Sequence, residues 1–195
     1  MYFDSPPTAT LFAALASIDL DLADLCRNQR CPFCHGPLHH APYLRKPRGG
    51  PDDLPDRYSV RLSLCCGRDG CRRRVLPPSC LFLGRKVYWA AIVLIVVTLR
   101  QRRTEGVSAR TLRLTFGVSQ ETLARWMTFF AQVFPRSELW RRCRGLVPST
   151  VSNDELPASL LALFVTQYGG DEEGGLLACL EFLARGERSV GRRAS

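Results

Sequence analysis

Lysine is nearly absent from this 195-residue chain: Lys46 and Lys86 are the only lysines among 27 basic residues. Arginine usage of that kind follows genome composition as readily as chemistry, so it is not read as a signal. Long apolar runs are missing too. The longest, Val87 to Leu99, has 13 residues between Lys86 and Arg100, short of the roughly 18–20 that cross a bilayer. A buried core helix is expected there, and no membrane partner. The first 25 residues carry Asp4, Asp19, Asp21 and Asp24 and no base, which excludes a secretory leader and gives a cytoplasmic expectation. No internal repeat is present. Apolar residues at 46% and charged residues at 23% lie near globular averages, so a wholly disordered or collagen-like chain is excluded.

The formal charge of +9 is unevenly placed. Residues 1–25 sum to −4, residues 26–147 to +16 and residues 148–195 to −3. A basic middle between acidic ends concentrates positive potential on one part of the molecule, which attracts polyanions, nucleic acid first. Four segments follow from the pattern. Residues 1–26 contain a short helix over 8–26, with Leu11, Leu15, Ile18, Leu22 and Leu25 at helical spacing. Residues 27–84 are rich in Cys, Pro, Gly and Arg. Residues 85–147 are helical by pattern. Residues 148–195 carry two short helices, over 157–168 and 176–184, around the breaker GGDEEGG of Gly169–Gly175, with a frayed polar tail after Gly186.

Nine cysteines form an odd set in a chain expected in a reducing compartment, where close cysteine spacing points to metal rather than disulfides. Cys31-Pro-Phe-Cys34-His-Gly and Cys65-Cys66-Gly-Arg-Asp-Gly-Cys71 each place thiols on a tight turn. Cys31, Cys34, Cys66 and Cys71 are the first choice of ligands for a tetrahedral Zn2+ at about 2.3 Å per sulfur. Cys65 competes for the third position, and His35, His39 and His40 are alternatives. Glycines 36, 67 and 70 leave room for the backbone to turn around the ion. The alternation Tyr58 to Leu64 reads as a strand leading into the site, and PRGGPDDLPD (47–56) as a long hairpin loop. Together these predict a zinc ribbon that chelation would unfold across 27–84. Cys26, Cys80, Cys143 and Cys179 are expected to be packing residues.

After Arg85 the pattern predicts a helix over about 86–104, ended by Gly106. Ser108 then caps a short second helix. Gly117 permits a left-handed turn, and Ser119 caps a third helix over 120–133 that stops before Pro135. Leu112, Phe116, Val118, Leu123 and Trp126 fall where a helix-turn-helix buries its contacts. Its reading end would expose Gln120, Glu121, Thr122 and Arg125, and the Ser119 hydroxyl suits phosphate. Arg113 stands where such motifs commonly place a small residue. Arg72, Arg73 and Arg74, with Arg141, Arg142 and Arg144, supply candidate phosphate contacts on either side.

The order CPFC, CCGRDGC, RRRVLPPS, a long apolar helix and GVSARTL…GVSQETLARW resembles the N-terminal region of bacterial insertion-sequence transposases and their accessory proteins, over about residues 27–134. The resemblance implies an α+β chain of zinc ribbon, helix-turn-helix and short C-terminal helices that binds double-stranded transposon DNA. It carries the metal ligands onto Cys31, Cys34, Cys66 and Cys71, and base reading onto Gln120, Thr122 and Arg125. The transposases' catalytic domain needs three separated carboxylates, but about 50 residues follow position 147. Asp154, Glu155 and Asp171-Glu172-Glu173 read as solvated acids in linkers. The expectation is therefore a non-enzymatic accessory or regulatory protein; a transcriptional regulator and a protein-interaction adaptor, docking a transposase or other subunit, stay open beside it. The C-terminal 48 residues could pair two copies as a homodimer.

Overall fold

The computed structural model describes residues 7–84, 86–102 and 108–188. It is of the α+β class, as expected, with seven α-helices and two small antiparallel sheets among those residues. The helices are α1 (Ala9–Asn28), α2 (Ala90–Arg102), α3 (Ala109–Phe116), α4 (Gln120–Thr128), α5 (Glu138–Arg144), α6 (Ala158–Gln167) and α7 (Glu172–Arg188). The strands are β1 (Leu38–His40), β2 (Tyr43–Leu44), β3 (Val60–Arg61), β4 (Leu64–Cys66) and β5 (Arg74–Val75). One sheet has the order β1-β4-β5 and the other pairs β2 with β3.

The apolar run became the centre of the molecule. Every residue of α2 from Ala90 to Leu99 is buried, and α3, α4, α6 and α7 all pack against it. A helix apolar on every side has no solvent face to offer, so it must be wrapped. No helix among the described residues is long and apolar enough to cross a membrane. The helix starts at Ala90 rather than near 86. Tyr88 and Trp89 instead make β-bridges, to Arg48 and Phe82, because their extended backbone pairs with the loop ahead of β3 and with the chain leaving the ribbon. Gly106, the expected terminator, lies outside the described residues.

The acidic C-terminal segment is part of this core, not an appendage. Helices α6 and α7 pack on each other, and α7 also meets α1, α2 and α5. Leu176, Cys179, Leu180, Leu183 and Ala184 of α7 are buried, as are Leu160, Leu161 and Val165 of α6. These short helices therefore find their apolar partners within the chain. The expected breaker is also shorter than its composition suggests. Gly169 and Gly170 take left-handed conformations, but α7 begins at Glu172 and runs through Gly174 and Gly175. Glu172 and Glu173, expected in a linker, occupy its first turn, where carboxylates offset the positive helix end. The Glu173 carboxylate accepts from both the backbone N–H and the hydroxyl of Thr8 at 2.8 Å. Thr8 in turn caps α1, so one carboxylate ties two helix starts together. Leu11, Leu15 and Leu22 of α1 are buried as expected, while Leu25 is exposed.

A buried polar junction joins α1 to the segment that leaves the ribbon. Asp19, only 3% exposed, accepts the Cys80 N–H at 2.6 Å and the Ser79 hydroxyl. Burial holds its carboxyl above the ordinary value, opposed by those hydrogen bonds and by the Arg61 guanidinium. The folded chain thus binds this proton more tightly than the unfolded chain does. Its contribution to stability is present below the unfolded value of 3.8 and is lost as pH rises through the higher folded value. Asp19→Asn removes that loss. The variant's urea midpoint, relative to the parent's, should climb with pH across that window; a constant difference would show that Asp19 does not titrate there.

Candidate metal centre and nucleic-acid interface

Two turns and one sheet bring four sulfurs together. Ligand atoms of Cys31, Cys34, Cys66 and Cys71 all lie within 4.8 Å of one another. Two of the separations are 3.8 Å for Cys31–Cys71 and 3.4 Å for Cys34–Cys66. Four sulfurs at about 2.3 Å around a tetrahedral ion stand about 3.8 Å apart, so the group has the dimensions to hold a metal ion. This is the one such group of three or more His, Cys, Asp or Glu residues among those described.

Local backbone chemistry builds each turn. In the first, the His35 N–H donates to Cys31 O at 2.8 Å and the Cys31 N–H to Gly36 O at 3.0 Å. His35 takes a positive φ of 59° to close it. A Cβ on Gly36 would lie 2.8 Å from Arg68 Cβ and 3.1 Å from Cys66 Sγ, so glycine is what lets the turns approach each other. In the second, the Cys71 N–H donates to Arg68 O at 3.1 Å, and Cys66 N–H to Arg73 O at 2.9 Å closes the turn onto β5. The Gly36 N–H aimed at Cys34 lowers its pKa to about 7, against the effect of burial. The Arg68 N–H favours the Cys66 thiolate similarly, but burial and the thiols of Cys34, Cys71 and Cys31 push Cys66 up to about 12. A metal ion has to displace such protons, which makes binding weaken in acid.

Strand geometry separates Cys66 from its neighbour. Within β4, Leu64 and Cys66 are buried while Cys65 is half-buried, because successive side chains of a strand point to opposite faces. Cys65 Sγ lies 3.5 Å from Arg72 O and is outside the sulfur group. His35, His39 and His40 are outside it as well; His40 stands 3.6 Å from Asp24 of α1. The expected strand over 58–64 is broken in two. Asp56–Ser59 is a 3-10 turn, and β3 and β4 are short pieces in different sheets. Each sheet claims the part whose partner strand is near.

The helix-turn-helix features lie where local signals placed them. The Ser108 side chain accepts from Thr111 N at the start of α3, and Ser119 from Thr122 N at the start of α4. Between them Gly117 has φ +60°. Leu112, Phe116, Val118, Leu123 and Trp126 are all buried. Tyr88 supports the turn from below: its hydroxyl donates to Gly117 O at 3.2 Å, and its ring meets Trp126 edge-on at 4.9 Å. Arg113 is exposed, so its bulk faces away from the helix contact. The third helix is longer and less regular than expected. After Thr128 it widens into a π turn over Phe129–Val133, then a 3-10 turn over Phe134–Arg136. Pro135 lacks an N–H and cannot continue an α-helix, yet it suits the start of a new turn.

At the reading end, Gln120, Glu121 and Arg125 are exposed. Thr122 is the exception: it is buried, its hydroxyl accepting from Ser119 Oγ at 2.9 Å and from Arg125 Nη2 at 3.0 Å. The cap consumes it, which corrects the expectation of an exposed contact. Ser119 is exposed but also holds the cap. Several candidate phosphate contacts are engaged within the chain. Arg72 pairs with Asp69 at 2.7 Å, and Arg142 pairs with Glu138. Arg144 donates to the carbonyls of Val147 and Pro148. Arg73 lies over the Phe33 ring and Arg74 over the Tyr43 ring. Those aromatic partners were not picked out from sequence; only CPFC hinted at one.

No protein-family model, curated protein or solved structure matches the chain.

Proposed function

We propose that this chain is a zinc-stabilised protein that binds double-stranded DNA, in an accessory or regulatory role for a mobile element. The carrying observation is the serine-capped, glycine-turned pair α3–α4, with Gln120 and Arg125 exposed at the first turns of its second helix. A helix N-terminus of that kind fits the major groove, where glutamine pairs with adenine and arginine with guanine or phosphate. The four-thiolate group supports zinc as the ion. Four sulfur ligands close the coordination sphere, so the metal would fold the ribbon rather than catalyse. Control of transcription would use the same interface and differ only in which genes it serves.

Selection from random duplexes followed by titration tests the reading. One sequence motif or palindrome should emerge, with log affinity falling against log salt at a slope of roughly −5 for six phosphate contacts. Gln120→Ala and Arg125→Ala should each weaken the selected duplex by about ten-fold and relax preference at one position. Absence of duplex binding in dilute buffer would remove the proposal.

A further inference from the structure

The ribbon carries two exposed aromatic rings, each with an arginine stacked on it. Phe33, 55% exposed on the first turn, has the Arg73 guanidinium carbon 4.7 Å from its ring centre. Tyr43, 39% exposed in β2, has that of Arg74 at 5.3 Å. Arg74 is further fixed by donating to Ser63 Oγ at 2.8 Å. Arg73 and Arg74 are consecutive, and β5 is an edge strand of its sheet. The two pairs therefore flank one sheet edge. Folding alone gives no reason to leave two large rings in water, and neither belongs to either apolar core.

We infer that this edge binds single-stranded nucleic acid by stacking unpaired bases on the two rings. A duplex hides its base faces, whereas a single strand presents them, and aromatic stacking of such bases tolerates any sequence. A guanidinium held on one face of a ring leaves the other face for a base and adds positive charge for the adjoining phosphate. The surroundings fit a polyanion: residues 27–76 hold 11 bases and four acids. Leu44, next to Tyr43, and Leu76, just past β5, are also exposed and border the rings with apolar surface. The inference extends the DNA-binding reading to unpaired strands, such as those exposed when an element's end is opened, and it uses residues apart from α4.

Fluorescence anisotropy with the full chain tests it, using a 20-nucleotide oligothymidine and a 20-base-pair duplex as probes. Phe33→Ala and Tyr43→Ala should each weaken oligothymidine binding by about ten-fold and leave duplex binding within two-fold. Phe33→Trp and Tyr43→Phe should restore the parent affinity. Metal stoichiometry checks the fold of each variant; if Phe33→Ala disturbs it, Tyr43→Ala alone decides. Unchanged oligothymidine affinity, or equal losses on both probes, would overturn the inference. The two readings fail separately. Loss of duplex binding on Arg125→Ala belongs to α4, and ring-dependent single-strand binding stands whether or not a duplex is bound.

Discussion

Cys66→Ala is expected to release the metal and melt the ribbon around it while leaving the helical core folded. The apolar cluster beside the sulfurs contains only Leu38, Leu64 and Val75 besides cysteines. Burying an aliphatic side chain contributes about 1.5–3 kcal/mol, whereas structural zinc contributes about 10–16 kcal/mol at neutral pH. The metal therefore dominates this part of the molecule. The loss should be narrower than the whole of 27–84, because Tyr58, Cys80, Leu81 and Phe82 are buried in the main core. Residue-resolved hydrogen exchange should show protection lost at β1, β4 and β5 and kept in α2, α6 and α7. Cys65→Ala, which removes a sulfur outside the group, should leave metal content and protection unchanged. Full protection in a metal-free Cys66→Ala protein would show that the sulfurs hold nothing together.

Gly175→Val should be the most damaging single change in the helical core. A Cβ there would stand 2.6 Å from Val165 Cα and 2.7 Å from its backbone nitrogen. Backbone cannot swing aside as a side chain can, so α6 and α7 would have to separate. Overpacking of this kind costs about 1–3 kcal/mol, and more where no rotamer relieves it. The neighbouring position makes the internal control. A Cβ on Gly174 meets chiefly the Asp171 carboxylate at 2.3 Å, the mobile end of a short side chain. Gly174→Ala should be near neutral, since alanine favours a helix over glycine by about 1 kcal/mol. Urea midpoints of the two variants should differ clearly; equal midpoints would refute the close crossing.

That pair of glycines also marks the limit of what the sequence discloses. Features set by neighbours in sequence were legible: the caps at Ser108 and Ser119, the left-handed Gly117, the buried helix after Trp89, and the paired cysteines. Features set by distant partners were not. GGDEEGG reads as a breaker, because glycine lowers helix propensity; what it supplies at Gly175 is a close helix crossing visible only with α6 in place. The alternation of Tyr58 to Leu64 suggests one strand, but its ends pair with β2 and β1 in separate sheets. Thr122 reads as a base contact from its position, and the hydroxyl of Ser119 and the side chain of Arg125 claim it instead. The arginine run 72–74 reads as free charge, yet its members lean on Asp69, Phe33 and Tyr43.

The loop between β2 and β3 leaves the cysteine-bearing half and ends beneath the helical turn. Arg48 bridges to Tyr88, the residue that holds Gly117, and a Cβ on Gly49 would lie 3.0 Å from Phe116 O. Such a wedge makes the two halves a single gauge rather than beads on a string. Whatever the ribbon and α4 each touch must sit at one set distance, so inserting or deleting a few bases between two contacted sites should be felt at once.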